Sequence, residues 1–154
     1  MDFKESVEKL LNEALTEQPD LFLIKLSIGA DHSIRVTLDG DKDVTLVQCM
    51  QVSRQIEHNL DREEVDFSLE VGSVGVGSRL VQTRQFIKNI GRKLEVKSEN
   101  VAFKGNLVQA DDQAIVLEWK ARQPKPVGKG KVTVTKTKTI EYSLIDEAKV
   151  ILNL

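Results

Sequence analysis

Cysteine, aromatic side chains and long apolar runs are all scarce in this sequence. The single cysteine, Cys49, excludes an intramolecular disulfide and suits a reducing compartment. With only five Phe, one Trp and one Tyr, the chain provides poorly for stacking against single-stranded bases. No apolar run approaches the roughly 20 residues of a membrane span, and the charged N-terminus lacks an apolar signal core. We therefore expect a soluble cytoplasmic protein with no membrane partner.

Residues that carry catalysis or bind metals are equally scarce. Two His and one Cys do not make a typical zinc site, and Cys49 falls on the apolar face of a predicted helix. Asp39, Asp41 and Asp43 have the spacing that opens an EF-hand Ca²⁺ loop. Such a loop needs Gly at its sixth position and Glu at its twelfth, where this chain has Val44 and Met50. We expect no enzyme, no metal and no cofactor.

Charge divides the chain into two halves of opposite sign. Residues 1–83 carry 8 Lys and Arg against 16 Asp and Glu, a net of −8, whereas residues 84–154 carry 14 against 8, a net of +6. This asymmetry predicts two domains, of which the basic one is a candidate to bind a polyanion.

The first half predicts the order α-β-β-α-β. Asp2 with Glu5, and Thr45 with Gln48, have the spacing of helix capping boxes, and apolar residues follow each at helical spacing. Strands are predicted at 21–28, 34–38 and 67–71, the first two as a hairpin. On the second helix, we expect one apolar face. Its members are Leu46, Cys49, Val52, Ile56 and Leu60. We expect a two-layer domain with both helices on one face of a small sheet.

The second half predicts only short strands, apart from one helical turn near 143–147. These strands fall at 93–98, 103–110, 114–121, 131–142 and 149–154, and such spacing is typical of a small β-barrel. The predicted fold class is thus α+β. Its parts are an acidic α/β domain at 1–80, a linker at 81–85 and a basic β-barrel domain at 86–154.

A glycine-rich stretch, EVGSVGVGSRL (70–80), follows the third predicted strand. It matches neither the P-loop nor the dinucleotide fingerprint. Residues 72–75 spell the GxxG of KH domains, but a KH loop joins two helices and this stretch follows a strand. A turn between domains is the simpler interpretation.

Seven basic residues and no acidic residue lie between Trp119 and Ile140. They are Lys120, Arg122, Lys125, Lys129, Lys131, Lys136 and Lys138. The segment KVTVTKTKT (131–139) alternates Lys131 and four threonines with valines and lysines, and cations with hydroxyls suit phosphate contacts. An edge strand that uses lysines against aggregation predicts the same pattern.

Several segments, in order, resemble the ribosome maturation factor RimP family. They are DVTLVQCMQVSRQIEHNLD (43–61), FSLEV (67–71), FIKNIGRKLEVK (86–97), AFKGNLV (102–108) and SLIDEAKVIL (143–152). After Leu-Glu-Val the family typically has Ser-Ser-Pro-Gly-Leu-Asp-Arg-Pro-Leu. This chain keeps Ser73, Gly75 and Leu80 of that motif, but has Gly77 at the Asp position and Ser78 at the Arg position. Arg79 is one residue late.

The resemblance implies a non-enzymatic factor whose second domain is an SH3-like or Sm-like barrel. It implies binding to the free small ribosomal subunit, through rRNA and a ribosomal protein, during maturation of that subunit. We expect a monomer, with the seven basic residues at rRNA phosphates and Arg54, Ser73, Gly75 and Arg79 as docking elements. From charge alone, the acidic domain suits a basic ribosomal protein. The alternatives are a generic RNA-binding barrel protein and a nucleotide-binding enzyme that uses the 72–77 glycine loop.

Overall fold

The structure is a computed structural model that describes residues 2–75 and 77–151. It divides into two compact units, Met1–Gly75 and Val76–Leu154, each described by itself below. The described elements confirm the mixed α+β class. In chain order they are α1 (Phe3–Glu17), β1 (Leu21–Ile28), β2 (Ser33–Gly40), α2 (Leu46–Asn59), β3 (Ser68–Ser73), α3 (Thr83–Lys88), β4 (Lys93–Ser98), β5 (Val101–Ala110), β6 (Ala114–Pro124), β7 (Lys131–Glu141), a 3₁₀ turn (Tyr142–Leu144) and β8 (Ile145–Val150).

Both long helices of the first unit begin where their capping residues predict. The Asp2 carboxylate accepts a hydrogen bond from the Glu5 backbone N–H at 2.8 Å. The Thr45 hydroxyl accepts one from the Gln48 N–H at 3.1 Å, and the Gln48 side chain accepts one from the Thr45 N–H at 2.9 Å. Each box satisfies backbone donors that the first helical turn leaves without partners. The sequence therefore predicted where both helices begin.

The sheet of the first unit has the order β1-β2-β3. β1 and β2 form the predicted antiparallel hairpin, whereas β3 runs parallel to β2, from Ser33 opposite Ser68 to Leu38 opposite Ser73. Alternate residues of β2 face the helices, which together with the sheet bury one apolar cluster. Its buried members are Val7, Leu11, Ala14, Leu21, Ile34, Val36, Leu38, Val52, Ile56 and Phe67.

One apolar position of α2 was predicted wrongly. Leu46 is 76% exposed, although it shares helical spacing with the buried Cys49, Val52 and Ile56. Leu46 is the first residue of α2, and the buried cluster reaches along this helix only from Val52 to Ile56. Position in the first turn, rather than periodicity, therefore decides its exposure.

The second unit contains a five-stranded antiparallel sheet with the order β7-β6-β5-β4-β8. Four of its strands fall where they were predicted. The fifth does not, because β8 runs over Ile145–Val150 and begins directly after the 3₁₀ turn. Ala148 and Val150 face Val96 and Leu94 of β4 in the register, and the strand begins four residues earlier than predicted. Residues 152–154, the end of the predicted strand, lie outside the described residues.

The short helix α3 was not predicted, and it overlaps the predicted linker at 81–85. It contributes Phe86 to the buried cluster of the second unit. The buried Gln85 side chain accepts hydrogen bonds from the Val81 N–H at 2.7 Å and the Gln82 N–H at 3.1 Å. The other buried members of the cluster come from the strands. They are Leu94, Val96, Leu107, Ile115, Leu117, Ile140 and Ala148.

Gly105 lies where strand β6 comes close to β5. The first half of β5 pairs with β4, and from Asn106 onward the strand pairs with β6. A Cβ on Gly105 would lie 2.9 Å from the carbonyl oxygen of Glu118 and 3.3 Å from Cε3 of Trp119. Glycine is therefore required here for close approach of the two strands.

Candidate nucleic-acid interface

Strands β6 and β7 form a two-stranded ribbon that extends past the rest of the sheet. They pair over their full length, from Ala114 opposite Glu141 to Pro124 opposite Lys131. Among the described residues, β5 pairs with β6 only as far as Glu118. The six residues from Trp119 to Pro124 therefore have β7 as their only paired strand, and at about 3.3 Å per residue they span roughly 20 Å.

One face of this ribbon, called the outer face below, combines cations with hydroxyls. Residues opposite each other in an antiparallel pair share a face, and the register places Lys120 opposite Thr135, Arg122 opposite Thr133 and Lys131 opposite Pro124. Thr137 and Thr139 continue the same face, whose acidic members are Glu118 and, at the far end of the pairing, Glu141. Lys120, Arg122 and Lys131 are exposed, and none forms an ion pair with a described acidic residue.

The other four predicted phosphate contacts lie elsewhere on the ribbon. Lys136 and Lys138 are on the opposite face, because Lys136 pairs with Trp119 and Lys138 with Leu117. Lys125 and Lys129 are exposed in the connecting loop, where the Lys125 N–H donates to the Gly130 carbonyl at 3.2 Å. The sequence-predicted set is therefore divided among two faces and a loop, and three of its members share one surface with threonines.

The glycine stretch is strand, not loop, over its first residues. Gly72 and Ser73 complete β3, and the Val74 N–H continues the pairing by donating to the Leu38 carbonyl at 2.9 Å. Ser73 and Gly75 are exposed at the end of the first unit. The GxxG segment thus joins no helices, unlike a KH loop. In the second unit Gly77 has φ +81°, a left-handed conformation that favours glycine at the position where the family motif has Asp.

Arg79 is bound to β8 of its own unit. It bridges Lys149 in antiparallel fashion, and the neighbouring Leu80 N–H donates to the Ala148 carbonyl at 2.8 Å. The Arg79 guanidinium lies 3.4 Å from the Glu147 carboxylate, which also meets Lys149 at 3.0 Å. Its hydrogen bond with Lys149, followed by the charge of Arg79, lowers the pKa of Glu147 from its usual value. This arrangement ties the segment after the glycine stretch to the sheet edge.

Arg54 lies exposed on α2 of the first unit, near an apolar surface. Leu46, Val47 and Met50 of the same helix are 76%, 61% and 42% exposed. Leu46, Met50 and Arg54 are four residues apart and so share one side of the helix. The structure therefore places the predicted docking residue beside exposed apolar side chains, of which periodicity had assigned only Leu46 to the core.

Cys49 and Asp39, which the sequence offered as candidates for a catalytic or metal site, are both buried. Cys49 is 7% exposed, and desolvation raises the pKa of its thiol, which disfavours the reactive thiolate. Asp39 is also buried, with its carboxylate accepting from the Gly40 N–H at 2.8 Å. Asp39 therefore belongs to the last residues of strand β2 and is not a solvated loop residue. In the part of the chain that the structure describes, no three His, Cys, Asp or Glu side chains are grouped to hold a metal.

Two aromatic residues beside the ribbon were absent from the predicted site. Phe103 and Trp119 are half-buried, with ring centroids 6.2 Å apart. The Lys138 ammonium lies 5.8 Å from the Phe103 ring centroid. The sequence did contain a signal, because Trp119 directly precedes the basic segment. The low aromatic content of the whole chain had argued against base stacking and so drew attention away from it. No helix among residues 2–75 and 77–151 is long and apolar enough to cross a membrane.

Comparison with known proteins places these features in a family of ribosome maturation factors. Residues 10–77 match the RimP N-terminal domain. Over 147 residues the chain is 56% identical to the ribosome maturation factor RimP of Christiangramia forsetii, covering 96% of each chain. The corresponding factor of Flavobacterium psychrophilum is 49% identical over 99% of each chain, and that of Porphyromonas gingivalis is 33% identical over 94% of this chain and 95% of its own.

This chain belongs to the RimP family. The resemblance inferred from the sequence is thereby confirmed over nearly its whole length.

Proposed function

We propose that this protein is a cytoplasmic ribosome maturation factor that binds the free small ribosomal subunit and assists its assembly without catalysis. The observation that carries the proposal is similarity over nearly the full chain to proteins named ribosome maturation factors. The two units, one acidic and one basic, suit a factor that contacts both protein and rRNA. It acts as a monomer, and the five-stranded second unit serves as a small barrel of SH3-like or Sm-like type.

The outer face of the ribbon is the proposed rRNA contact. Its three unpaired cations neutralise phosphates, and its threonine hydroxyls donate hydrogen bonds to phosphate oxygens. Lys125 and Lys129 in the loop extend the same positive surface. Such contacts fix the position of a protein on RNA without reading sequence.

The first unit is the proposed contact for a basic ribosomal protein. Residues 1–75 carry 7 Lys and Arg against 16 Asp and Glu, and Arg54 stands beside exposed apolar side chains. Opposite charge steers such partners together, while apolar anchors hold them.

Sucrose-gradient fractionation tests the proposal as a whole. We expect the protein to co-migrate with free small subunits at low salt, and not with large subunits. A generic RNA-binding protein would instead spread over all ribosomal fractions. Recovery only at the top of the gradient at low salt would refute the function.

Photo-crosslinking separates the two proposed contacts. A photoreactive amino acid is placed at Arg54 in one variant and at Lys129 in a matched variant, and each is irradiated on free small subunits. We expect ribosomal protein crosslinks from position 54 and rRNA crosslinks from position 129. Only rRNA products from position 54 would contradict the role given to the acidic unit.

A further inference from the structure

Trp119, on the ribbon face opposite the outer face, forms an aromatic pair with Phe103 of the neighbouring strand β5. Trp119 lies where β6 leaves β5, and its ring packs over Gly105, where there is no side chain to displace it. The Phe103 ring is tilted 48° to the indole at a centroid distance of 6.2 Å. The chain has only seven aromatic residues, so their scarcity makes this pairing beside the basic ribbon informative.

Two lysines lie on the same face as the aromatic pair. Lys136 is directly opposite Trp119 in the strand register, which brings their Cβ atoms to about 5 Å. Lys138 is two residues further along β7, and its ammonium lies 5.8 Å from the Phe103 ring centroid, within reach of a cation–π contact. Both lysines are exposed. This group of four residues is called the aromatic–lysine platform below.

Packing at the edge of the core explains only part of this platform. Both rings contact the buried cluster of the second unit, which accounts for their mutual contact. It does not account for two exposed cations on the side of β7 that continues from the buried Ile140. Aromatic faces next to ammonium groups are the combination that holds an unpaired base and its flanking phosphates.

We propose that the aromatic–lysine platform stacks an unpaired base of RNA, while Lys136 and Lys138 hold the adjacent phosphates. The inference rests on the proposed rRNA contact and adds a second binding mode to it. The outer face binds the phosphate backbone, whereas the platform selects single-stranded segments, because paired bases do not present their faces. RNA is favoured over an apolar peptide because the segment between Trp119 and Ile140 carries seven cations and no acidic residue, which is the charge that a polyanion requires.

Trp119 provides a direct readout, because it is the only tryptophan in the chain. Its fluorescence is titrated with an eight-nucleotide single-stranded RNA, and separately with an abasic ribose-phosphate oligomer of the same length. We expect the RNA to quench Trp119 fluorescence and to bind about tenfold more tightly than the abasic oligomer, in line with one stacked base. Both oligomers carry the same phosphates, so their difference isolates the bases.

Matched variants assign the effect to the platform. Phe103→Leu keeps an apolar side chain against the core and should remove most of the tenfold preference without changing affinity for the abasic oligomer. Trp119→Phe retains an aromatic ring and should preserve the preference, measured by anisotropy of labelled RNA. Lys136→Gln with Lys138→Gln should weaken binding of both oligomers. Thermal melts establish that each variant is folded, and the unmodified protein tests the inference even if one variant does not fold.

Two results would overturn the inference, and they are distinguishable. Equal affinity for the two oligomers without quenching would refute base stacking and leave the proposed phosphate contact intact. If neither the RNA nor the abasic oligomer binds at low salt, the rRNA contact of the ribbon is refuted, and the platform proposal with it.

Discussion

Neutralising the outer face of the ribbon should reduce the salt sensitivity of small-subunit binding by a calculable amount. The perturbation is the triple substitution Lys120→Gln, Arg122→Gln and Lys131→Gln. All three side chains are exposed and without described ion-pair partners, so the substitutions break no ion pair in the described fold. Each cation that neutralises an RNA phosphate releases condensed counterions and adds about 0.7–0.9 to the slope of log K against log salt.

Three lost contacts should therefore make that slope shallower by about 2 to 3. Between 50 and 200 mM salt, a slope change of about 2 corresponds to a roughly 16-fold smaller loss of affinity in the variant. The assay is filter binding of labelled protein to free small subunits over this salt range at fixed Mg²⁺. An unchanged slope with unchanged affinity would show that the outer face does not touch phosphate.

The control has the same change in net charge. Lys9→Gln, Lys25→Gln and Lys42→Gln remove three exposed cations from the first unit, none on the ribbon. We expect this variant to keep the parental slope. Equal loss of slope in both variants would mean that overall charge, rather than the ribbon, governs binding.

Two further predictions concern stability of the second unit. Gly105→Ala should destabilise it by about 1–3 kcal/mol, because the new Cβ would lie 2.9 Å from the Glu118 carbonyl oxygen. Gly72→Ala, where the Cβ would meet nothing within 4 Å, is the control, and thermal unfolding followed by circular dichroism compares the two. Glu147→Gln should lower resistance to urea at pH 7. The folded-state pKa of this carboxyl lies below its usual 4.5, so its stabilising effect is present above that pH and is lost as pH falls through the folded pKa. Unfolding followed by Trp119 fluorescence should show a smaller difference from the parent at pH 3 than at pH 7, and equal differences would contradict the ion-pair argument.

Elements with their own local signals were predicted from the sequence. The capping boxes at Asp2 and Thr45 mark helix starts that depend on neighbouring residues alone. Helix α3 lacks the Ser, Thr, Asp or Asn that usually marks a cap, because its cap position is Gln82, and the helix is only six residues long. The parallel pairing of β3 with β2 is a long-range choice, made by burial of the shared core, and alternation within one strand does not encode it.

The candidate site was predictable in composition but not in arrangement. Seven basic residues in one segment could be counted, and the alternation of β7 separates Lys131 from Lys136 and Lys138. The partner strand decides which cations from β6 join each side, and that requires the register of Lys120 against Thr135. The contact made by Arg79 could not be predicted either, since its ion pair with Glu147 joins positions far apart in the chain.

The buried pair at the base of the ribbon controls what the distal ribbon presents to solvent. Ile115 lies opposite Ile140, and both side chains are almost wholly buried. A slip of one residue between the strands would expose Ile140 and would turn the threonines and Lys131 toward the side that now carries Trp119. Hydrophobic burial at one end of the ribbon thus fixes which polar side chains lie on each face some 20 Å away. Mutations in the core of this unit should consequently alter the proposed RNA binding without changing any residue of the proposed contact surfaces.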